Sequence, residues 1–292
     1  MNSVALDKIG AADFERFRSM FYRKTGIHFE DSKRYFVDKR LHERMKATGH
    51  TSFKGYFTYM RFQASGEEFQ NLVNSMTVNE TYFFREEYQF EAMTREIMDE
   101  LDGYRPAGED LRIWSVPSST GEEPYSIAIY LIEYWKGLAH RDRELISSDI
   151  DSNVLASAKK GLYSKRSVQN IPLPLVKKYF KEINGQFQLS DDIRESVSFT
   201  LANILSANNM KQFRHFDLIF CRNLLIYFDD ESRKKAAQVL FDAMKPGGYI
   251  FLGHSESMSR ISSMFKVRKF GDVIAYQKPL TGGAYHENSN DC

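Results

Sequence analysis

Cysteine, tryptophan and proline are scarce in this chain, neither sign of charge prevails, and no apolar run is long. The two cysteines, Cys221 and Cys292, lie one inside an apolar stretch and one at the terminus. Such a pair offers no disulfide framework and fits a reducing, cytoplasmic compartment. The formal net charge of +1 excludes a global electrostatic pull toward nucleic acid or toward an anionic membrane. A membrane span needs roughly 18 consecutive apolar residues; the nearest candidate, Ile127 to Trp135, is far too short. The opening residues Met-Asn-Ser-Val-Ala-Leu-Asp-Lys hold no apolar core of a secretory signal. The seven histidines show no H-E-x-x-H pair and no accompanying cysteine pair, so no metal site is expected. The hydrophobic share of 42% and charged share of 27% are those of a soluble globular chain, and 292 residues suit one large domain or two modest ones.

The residues that carry chemistry cluster in two places. Leu111-Arg-Ile-Trp-Ser-Val116 is an apolar strand that breaks into Pro-Ser-Ser-Thr-Gly-Glu-Glu-Pro124 and opens a helix. Further on, Leu145-Ile-Ser-Ser148 is a second short strand that ends on Asp149. On a parallel sheet this layout makes a nucleotide-type site. The first turn passes close to the ligand, and the acid at the end of strand two accepts hydrogen bonds from ribose hydroxyls. A pyrophosphate-binding G-x-G-x-x-G is missing, because the turn holds only Gly121, and there is no Gly-Lys-Ser/Thr of a P-loop. A cofactor without a phosphate chain fits better, and S-adenosylmethionine is such a cofactor. The plain structural reading of the same residues is a helix start, since Thr120 and Glu123 have capping-box spacing.

Two kinds of periodicity divide the chain. Over 12–77, apolar residues recur at helical spacing: Phe14, Phe17 and Phe21 before Gly26; Val37, Leu41 and Met45; Phe53, Phe57 and Met60; Phe69, Val73 and Met76. A longer helix carries Phe90, Met93, Ile97 and Leu101, and Gly103 to Gly108 reads as a loop. From 111 onward strands alternate with helices, which predicts a parallel sheet with crossover helices. The candidate strands are 111–116, 144–148, 197–201, 216–221 and 248–253, followed by a hairpin of 265–269 and 272–277. Lys245-Pro-Gly-Gly248 reads as a turn. Between 161 and 196 the alternation is interrupted by a hairpin signal at Asn184-Gly185, which predicts an inserted β-subdomain. The expected division is therefore 1–77 helical, 78–110 linker and helix, 111–280 sheet domain with the insertion, and 281–292 a disordered tail.

Several long motifs occur in order: Asn79-Glu-Thr-Tyr-Phe-Phe-Arg85, Trp114-Ser, Ser119-Thr-Gly-Glu-Glu-Pro-Tyr-Ser126, Ser148-Asp-Ile-Asp151, Ala202-Asn203, Phe220-Cys-Arg-Asn-Leu-Leu-Ile-Tyr-Phe228 and Gly253-His-Ser-Glu-Ser257. Together they resemble the CheR family, the chemotaxis receptor glutamate O-methyltransferases, over nearly the whole chain. One departure is Val116-Pro117-Ser118, where many members carry small residues.

The resemblance implies a class I S-adenosylmethionine-dependent methyltransferase fold, α/β and Rossmann-like, with a small inserted antiparallel β-subdomain behind an all-α N-terminal domain. It implies S-adenosyl-L-methionine as cofactor and S-adenosyl-L-homocysteine as product. By the same resemblance Asn79, Thr81 and Arg85 line the cofactor cleft, Glu123 reaches the cofactor, and Asp149 binds the ribose. Asn203 and Ile204 flank the adenine, and Asn223 and Leu224 line the methionine side. Arg85 and Tyr227 face the substrate carboxylate. The implied partner is the cytoplasmic helical domain of chemotaxis receptors, met by a monomer without nucleic acid and without membrane insertion.

Other signals are weaker. Gly253-His-Ser-Glu-Ser257 starts like a G-x-S-x-G nucleophile elbow but lacks the last glycine. The cations Lys33, Arg34, Lys39, Arg40, Arg44 and Lys46 read as a solvated helix face, or as a docking surface for an acidic receptor helix. The hairpin Lys181 to Phe187 has one glycine, Gly185. Some CheR members hold a receptor pentapeptide there on a glycine-rich loop, so a pentapeptide-independent enzyme is expected. The remaining alternative is a non-catalytic adaptor that keeps the fold and binds cofactor or receptor without turnover.

Overall fold

A computed structural model describes residues 9–106, 109–139 and 142–280. The expected tail 281–292 lies outside the described residues. Four helices come first: α1 (Ala11–Thr25), α2 (Arg34–Ala47), α3 (Phe53–Phe62) and α4 (Glu67–Met76). Their apolar positions meet in one core of Phe14, Phe17, Phe21, Val37, Leu41, Met45, Phe57, Leu72, Val73 and Met76. Burying each of these large side chains contributes about 1.5–3 kcal/mol. Gly26 ends α1 at φ 77°, with its N–H on the Tyr22 carbonyl. A Cβ there would also lie 2.0 Å from Leu205 Cδ1, so the helices approach the sheet domain closely at this glycine.

One member of the expected cationic face is committed elsewhere. Arg44 forks onto the buried Glu68 carboxylate at 3.0 and 2.6 Å, and the Tyr56 hydroxyl donates to the same carboxylate at 2.8 Å. This ties α2 to α4. The exposed cations of α2 are then Lys39 and Lys46, with Arg40 half-buried and paired to Glu43 at 2.9 Å.

The linker leads into α5 (Glu87–Ala92), a π turn (Met93–Ile97) and α6 (Met98–Tyr104). Phe90, Met93, Ile97 and Leu101 are all buried, as their spacing predicts. The loop expected from Gly103 starts later, because α6 continues through Tyr104; its packing on the sheet overrides the local cost of one glycine.

Among the described residues the main sheet has seven strands: β1 (Leu111–Ser115), β2 (Arg143–Asp149), β6 (Val197–Leu201), β7 (Phe216–Cys221), β8 (Met244–Leu252), β9 (Lys266–Phe270) and β10 (Val273–Gln277). Their order is β6-β2-β1-β7-β8-β10-β9. The first five are parallel, and β10 runs antiparallel between β8 and β9. Strand β7 is buried at every position, as a central parallel strand must be. The expected turn at Lys245 to Gly248 is instead absorbed into β8, with a register shift opposite Phe216 and Leu218. Gly248 belongs there because a Cβ would lie 3.0 Å from the Asp217 carbonyl.

The insertion forms a separate three-stranded antiparallel sheet of β3 (Leu162–Tyr163), β5 (Gln186–Leu189) and β4 (Phe180–Ile183). Asn184 and Gly185 make its tight turn at φ 50° and 76°. Two positive φ values in a two-residue loop match the twist of the flanking strands.

Hydrogen bonds fasten the helices to the sheet around one cleft. Gln70 donates to the Ile150 carbonyl at 2.8 Å, Asn74 to Ser152 Oγ at 2.8 Å, and Asn203 to the Lys24 carbonyl at 2.8 Å. Ile27 also bridges Phe228 in antiparallel fashion.

Candidate active site

The cleft holds about 810 Å³ and lies at the C-terminal ends of β1, β2 and β7, roofed by the segments 25–36 and 76–85. That volume is within the range of cofactor sites, about 300–1,000 Å³. Asn79, Thr81, Arg85, Glu123, Asp149, Asn203, Ile204, Asn223, Leu224 and Tyr227 all line it.

The floor is the turn after β1. Val116–Pro117 is a cis peptide, and Ser119 is held at φ 46°. The N–H groups of this turn point into the protein: Val116 to the Phe220 carbonyl, Ser118 to the Ser148 carbonyl and Gly121 to the Ser118 carbonyl. Ser119 N–H donates to Asp149 Oδ2 at 2.8 Å. A phosphate cradle would need those groups turned toward the ligand. The helix that follows, α7 (Glu122–Tyr134), also opens on two acids. With these donors already used and acids at the helix start, the turn offers a phosphate chain no hold and suits a cationic, ribose-bearing ligand, as S-adenosylmethionine is. The expected capping box is not formed. Gly121 caps α7 at φ 97° without a side-chain bond, and Thr120 Oγ1 donates to Glu122 instead. Gly121 is needed here, since a Cβ would sit 2.9 Å from Ala158 Cβ.

Asp149 is buried at the end of β2. Its Oδ1 accepts from Asp151 N–H at 2.9 Å, and Oδ2 from Ser119 N–H. Each oxygen keeps a further lone pair for a ribose hydroxyl. Burial pushes this carboxyl from 3.8 up to about 6, against the backbone bonds that lower it.

Glu123 is largely shielded. Ser115 Oγ donates to it at 2.9 Å, and Arg222 stands 3.3 Å away. Burial raises its pKa, and the Arg222 charge opposes that rise.

Arg85 sits between two residues in the left-handed region, Phe84 at φ 60° and Glu86 at φ 56°. Non-glycine residues adopt this conformation at a cost, and such strain gathers at functional sites. Arg85 donates to the Glu80 carbonyl at 3.1 Å and stacks 5.8 Å from the Tyr82 ring. Tyr227 donates to the Val78 carbonyl at 3.3 Å. Burial raises the Tyr227 phenol, with the nearby Arg85 charge acting to lower it, so the hydroxyl stays a donor at neutral pH.

Two residues are more committed than their expected roles require. Asn79 donates to Thr77 Oγ1 and Asp151 Oδ2, both at 3.1 Å. Asn203 donates to Lys24, and its side-chain oxygen accepts from Leu205 N–H. Both therefore line the cleft while bracing the helical domain on the sheet.

Residues 12–77 match the family model described as CheR methyltransferase, all-alpha domain, and residues 79–274 match CheR methyltransferase, SAM binding domain. The chain belongs to the CheR methyltransferase family. It is 54% identical over 291 residues to Chemotaxis protein methyltransferase 2 of Vibrio cholerae, covering 99% of each chain. Identity is 36% to Chemotaxis protein methyltransferase 2 of Pseudomonas aeruginosa, over 90% of this chain and 91% of that one. It is 33% to Chemotaxis protein methyltransferase of Escherichia coli, over 88% of each. This CheR protein is thus an S-adenosylmethionine-dependent methyltransferase, and the adaptor reading finds no support.

Sequence reasoning overlooked Arg222, although it lies inside a quoted motif. Its side chain is 2% exposed, donates to the Arg85 carbonyl at 2.6 Å and pairs with Glu86 at 3.4 Å as well as with Glu123. It also packs 5.5 Å from the Phe90 ring. One cation therefore joins the Arg85 turn to the start of α7. The signal was available: a guanidinium directly after the continuously apolar strand β7 must find buried partners.

A ribose held by Asp149 would make cofactor affinity pH-dependent in this CheR enzyme, since only the ionised carboxylate could accept from both ribose hydroxyls. Affinity should be flat above about pH 7 and fall progressively below about pH 6, where cofactor must displace a bound proton. Stability runs the other way. The folded pKa lies above the unfolded one, so between pH 3.8 and about 6 the folded state binds more protons, and this group's stabilising effect is lost as the pH rises through that window. Asp149→Asn should abolish the pH dependence of affinity and weaken binding by about 1–3 kcal/mol at pH 7.5. Calorimetric titration of S-adenosylhomocysteine into both proteins at pH 5.5 and 7.5 checks this, and parallel pH profiles would remove Asp149 from the site.

Proposed function

We propose that this cleft transfers a methyl group from S-adenosylmethionine to glutamate side chains of chemotaxis receptors, forming the methyl esters of sensory adaptation. The observation that carries the reading is Arg85, held on a strained turn beside Tyr227 at the mouth of a cleft whose floor is carboxylate-rich and closed to phosphate.

The bound cofactor supplies an electrophilic methyl on a sulfonium. Asp149 would bind its ribose, Asn203 and Ile204 would flank the adenine, Glu123 would reach the cofactor from α7, and Asn223 and Leu224 would line the methionine side. Asn79 and Thr81 complete the lining. A glutamate carboxylate is already ionised near neutral pH, so the chain need provide no general base. Arg85 holds one carboxylate oxygen with its planar fork and leaves the other aligned for attack. The Tyr227 hydroxyl turns from the Val78 carbonyl to donate to the same carboxylate. Too firm a grip would favour the ground state, since the carboxylate loses charge on the way to the ester. Positioning and exclusion of water are the chain's contribution, worth up to about 7–11 kcal/mol in well-ordered systems.

The working division is 1–77 for receptor docking, 78–110 for the cleft-lining linker and helix, and 111–280 for catalysis with the β-subdomain at 161–196. We infer that the enzyme acts as a monomer. Among the described residues no helix is long and apolar enough to cross a membrane; we place the enzyme in the cytoplasm with the helical receptor domains. Incubation with tritiated cofactor and receptor-containing membranes tests the function. Base-labile label on receptor glutamates is the expected product, and unlabelled receptor would refute the reading.

Recruitment belongs to the helical domain. The two-residue turn at Asn184-Gly185 leaves little loop to wrap a tethered peptide, so a peptide ending in the receptor pentapeptide should show no micromolar binding. Lys39 and Lys46 are exposed on α2, with Arg40 beside them. Reversing Lys39 and Arg40 to Glu should lower kcat/KM for receptor about tenfold at low salt and less at high salt, because exposed charges are screened within about 8–10 Å. Cofactor affinity should not change. An undiminished methylation rate at low salt would place docking elsewhere.

A further inference from the structure

We propose that Glu256 is a positioning residue for methyl transfer, holding the turn that carries Asn223, Leu224 and Tyr227; the inference rests on the reaction assigned above. Glu256 Oε2 accepts the N–H groups of Asn223 at 2.8 Å and Gly253 at 2.9 Å. Oε1 accepts those of Leu225 at 2.8 Å and Ile226 at 3.3 Å. One carboxylate thus satisfies four backbone donors, three of them on the segment 223–226. That segment needs such support, because Asn223 stands at φ 58° and the 3-10 turn Leu225–Tyr227 follows at once.

A second observation fixes the same geometry. A Cβ on Gly253 would lie 2.9 Å from Asn223 Nδ2, and 3.0 Å from both Asn223 N and Glu256 Oε2. Glycine is therefore required where the loop after β8 comes against the Asn223 backbone. Gly253 and Glu256 belong to the Gly253-His-Ser-Glu-Ser257 motif, which begins like a hydrolase elbow. In this fold its acid receives N–H groups, and no nucleophile is presented.

An amide cannot replace this carboxylate. In Glu256→Gln one oxygen still accepts, but the NH₂ opposes two backbone N–H groups and leaves them unpaired. The turn would relax, and with it the distance from Tyr227 to the target carboxylate; small misplacements of this kind cost up to about a hundredfold in rate.

Hydrogen–deuterium exchange of the free protein and methylation kinetics test this together. In Glu256→Gln, exchange over 222–228 should accelerate at least tenfold. The kcat for receptor should fall at least tenfold, and the Kd for S-adenosylhomocysteine, whose lining residues Asn223 and Leu224 ride on the same turn, should rise by a smaller factor than kcat falls. Gly253→Ala presses on the same turn and on the Glu256 carboxylate while leaving the acid in the chain, and should give the same split, so the test survives if Glu256→Gln does not fold. A kcat within twofold of wild type, whether or not exchange quickens, overturns the proposal. Failure of the wild-type protein to label receptor would instead refute the assigned reaction, and exchange would still report whether Glu256 holds the turn.

Discussion

Replacing Arg85 by alanine should lower kcat for receptor methylation about a hundredfold or more and change cofactor affinity only a few-fold. Arg85 is set on the turn between Phe84 and Glu86, and that turn is fastened from three sides. Ser126 Oγ accepts the Phe84 N–H at 3.1 Å, Arg222 donates to the Arg85 carbonyl, and Arg222 pairs with Glu86. Such support for a strained turn makes sense if the side chain must be placed within a fraction of an ångström. Removing the guanidinium leaves the target carboxylate free to rotate, and the loss of alignment is felt in the transition state. Arg85→Lys should recover only part of the rate, because a point charge lacks the fork. Single-turnover kinetics beside calorimetry separate the two effects. A variant that loses cofactor affinity and keeps its single-turnover rate would make Arg85 a cofactor ligand alone.

The second large effect is on stability. Arg222→Met should destabilise the protein by about 3–5 kcal/mol, the scale for breaking a buried charge pair by removing one partner. Methionine fills most of the volume over Phe90 but leaves Glu86 and Glu123 facing each other without their shared cation. The Arg85 carbonyl also loses its donor. Urea denaturation of both proteins gives the difference. Adding Glu123→Gln to Arg222→Met should restore part of the loss, since the amide has no charge to compensate. A loss below about 1 kcal/mol in Arg222→Met would mean that water replaces the guanidinium and that the pair does not bolt the Arg85 turn.

Much of the architecture was legible because its causes are local. Phe14, Phe17 and Phe21 lie on one face of α1 by the 3.6-residue period, and Gly26 ends that helix because a left-handed residue is required there. The alternation of strands and helices after Leu111 implies crossovers, and Asn184-Gly185 has the conformational freedom that a two-residue turn demands. Where local reading failed, a tertiary contact had prevailed. Helix α6 runs through Gly103 because Leu101 and its neighbours pack on the sheet. Arg44 left the docking face because Glu68 was already buried beneath it. Thr120 lost its capping role because Gly121 turns the chain over Ala158.

The sequence by itself determined the layers and pointed to the cofactor class, and its resemblance to the CheR family named the residues that line the cleft. The layers follow from periodicity, and the cofactor class from a turn without phosphate-binding glycines and from an acid at the end of β2. Only the tertiary structure decided which polar groups are already occupied and by what. Asp149 orders the turn after β1, Asn203 braces the helical domain, Arg222 fastens Arg85, and Glu256 gathers four N–H groups. Partners of this kind lie up to 179 residues apart along the chain. No local period encodes them; each exists because folding buries a charge or an N–H group that must then be paired.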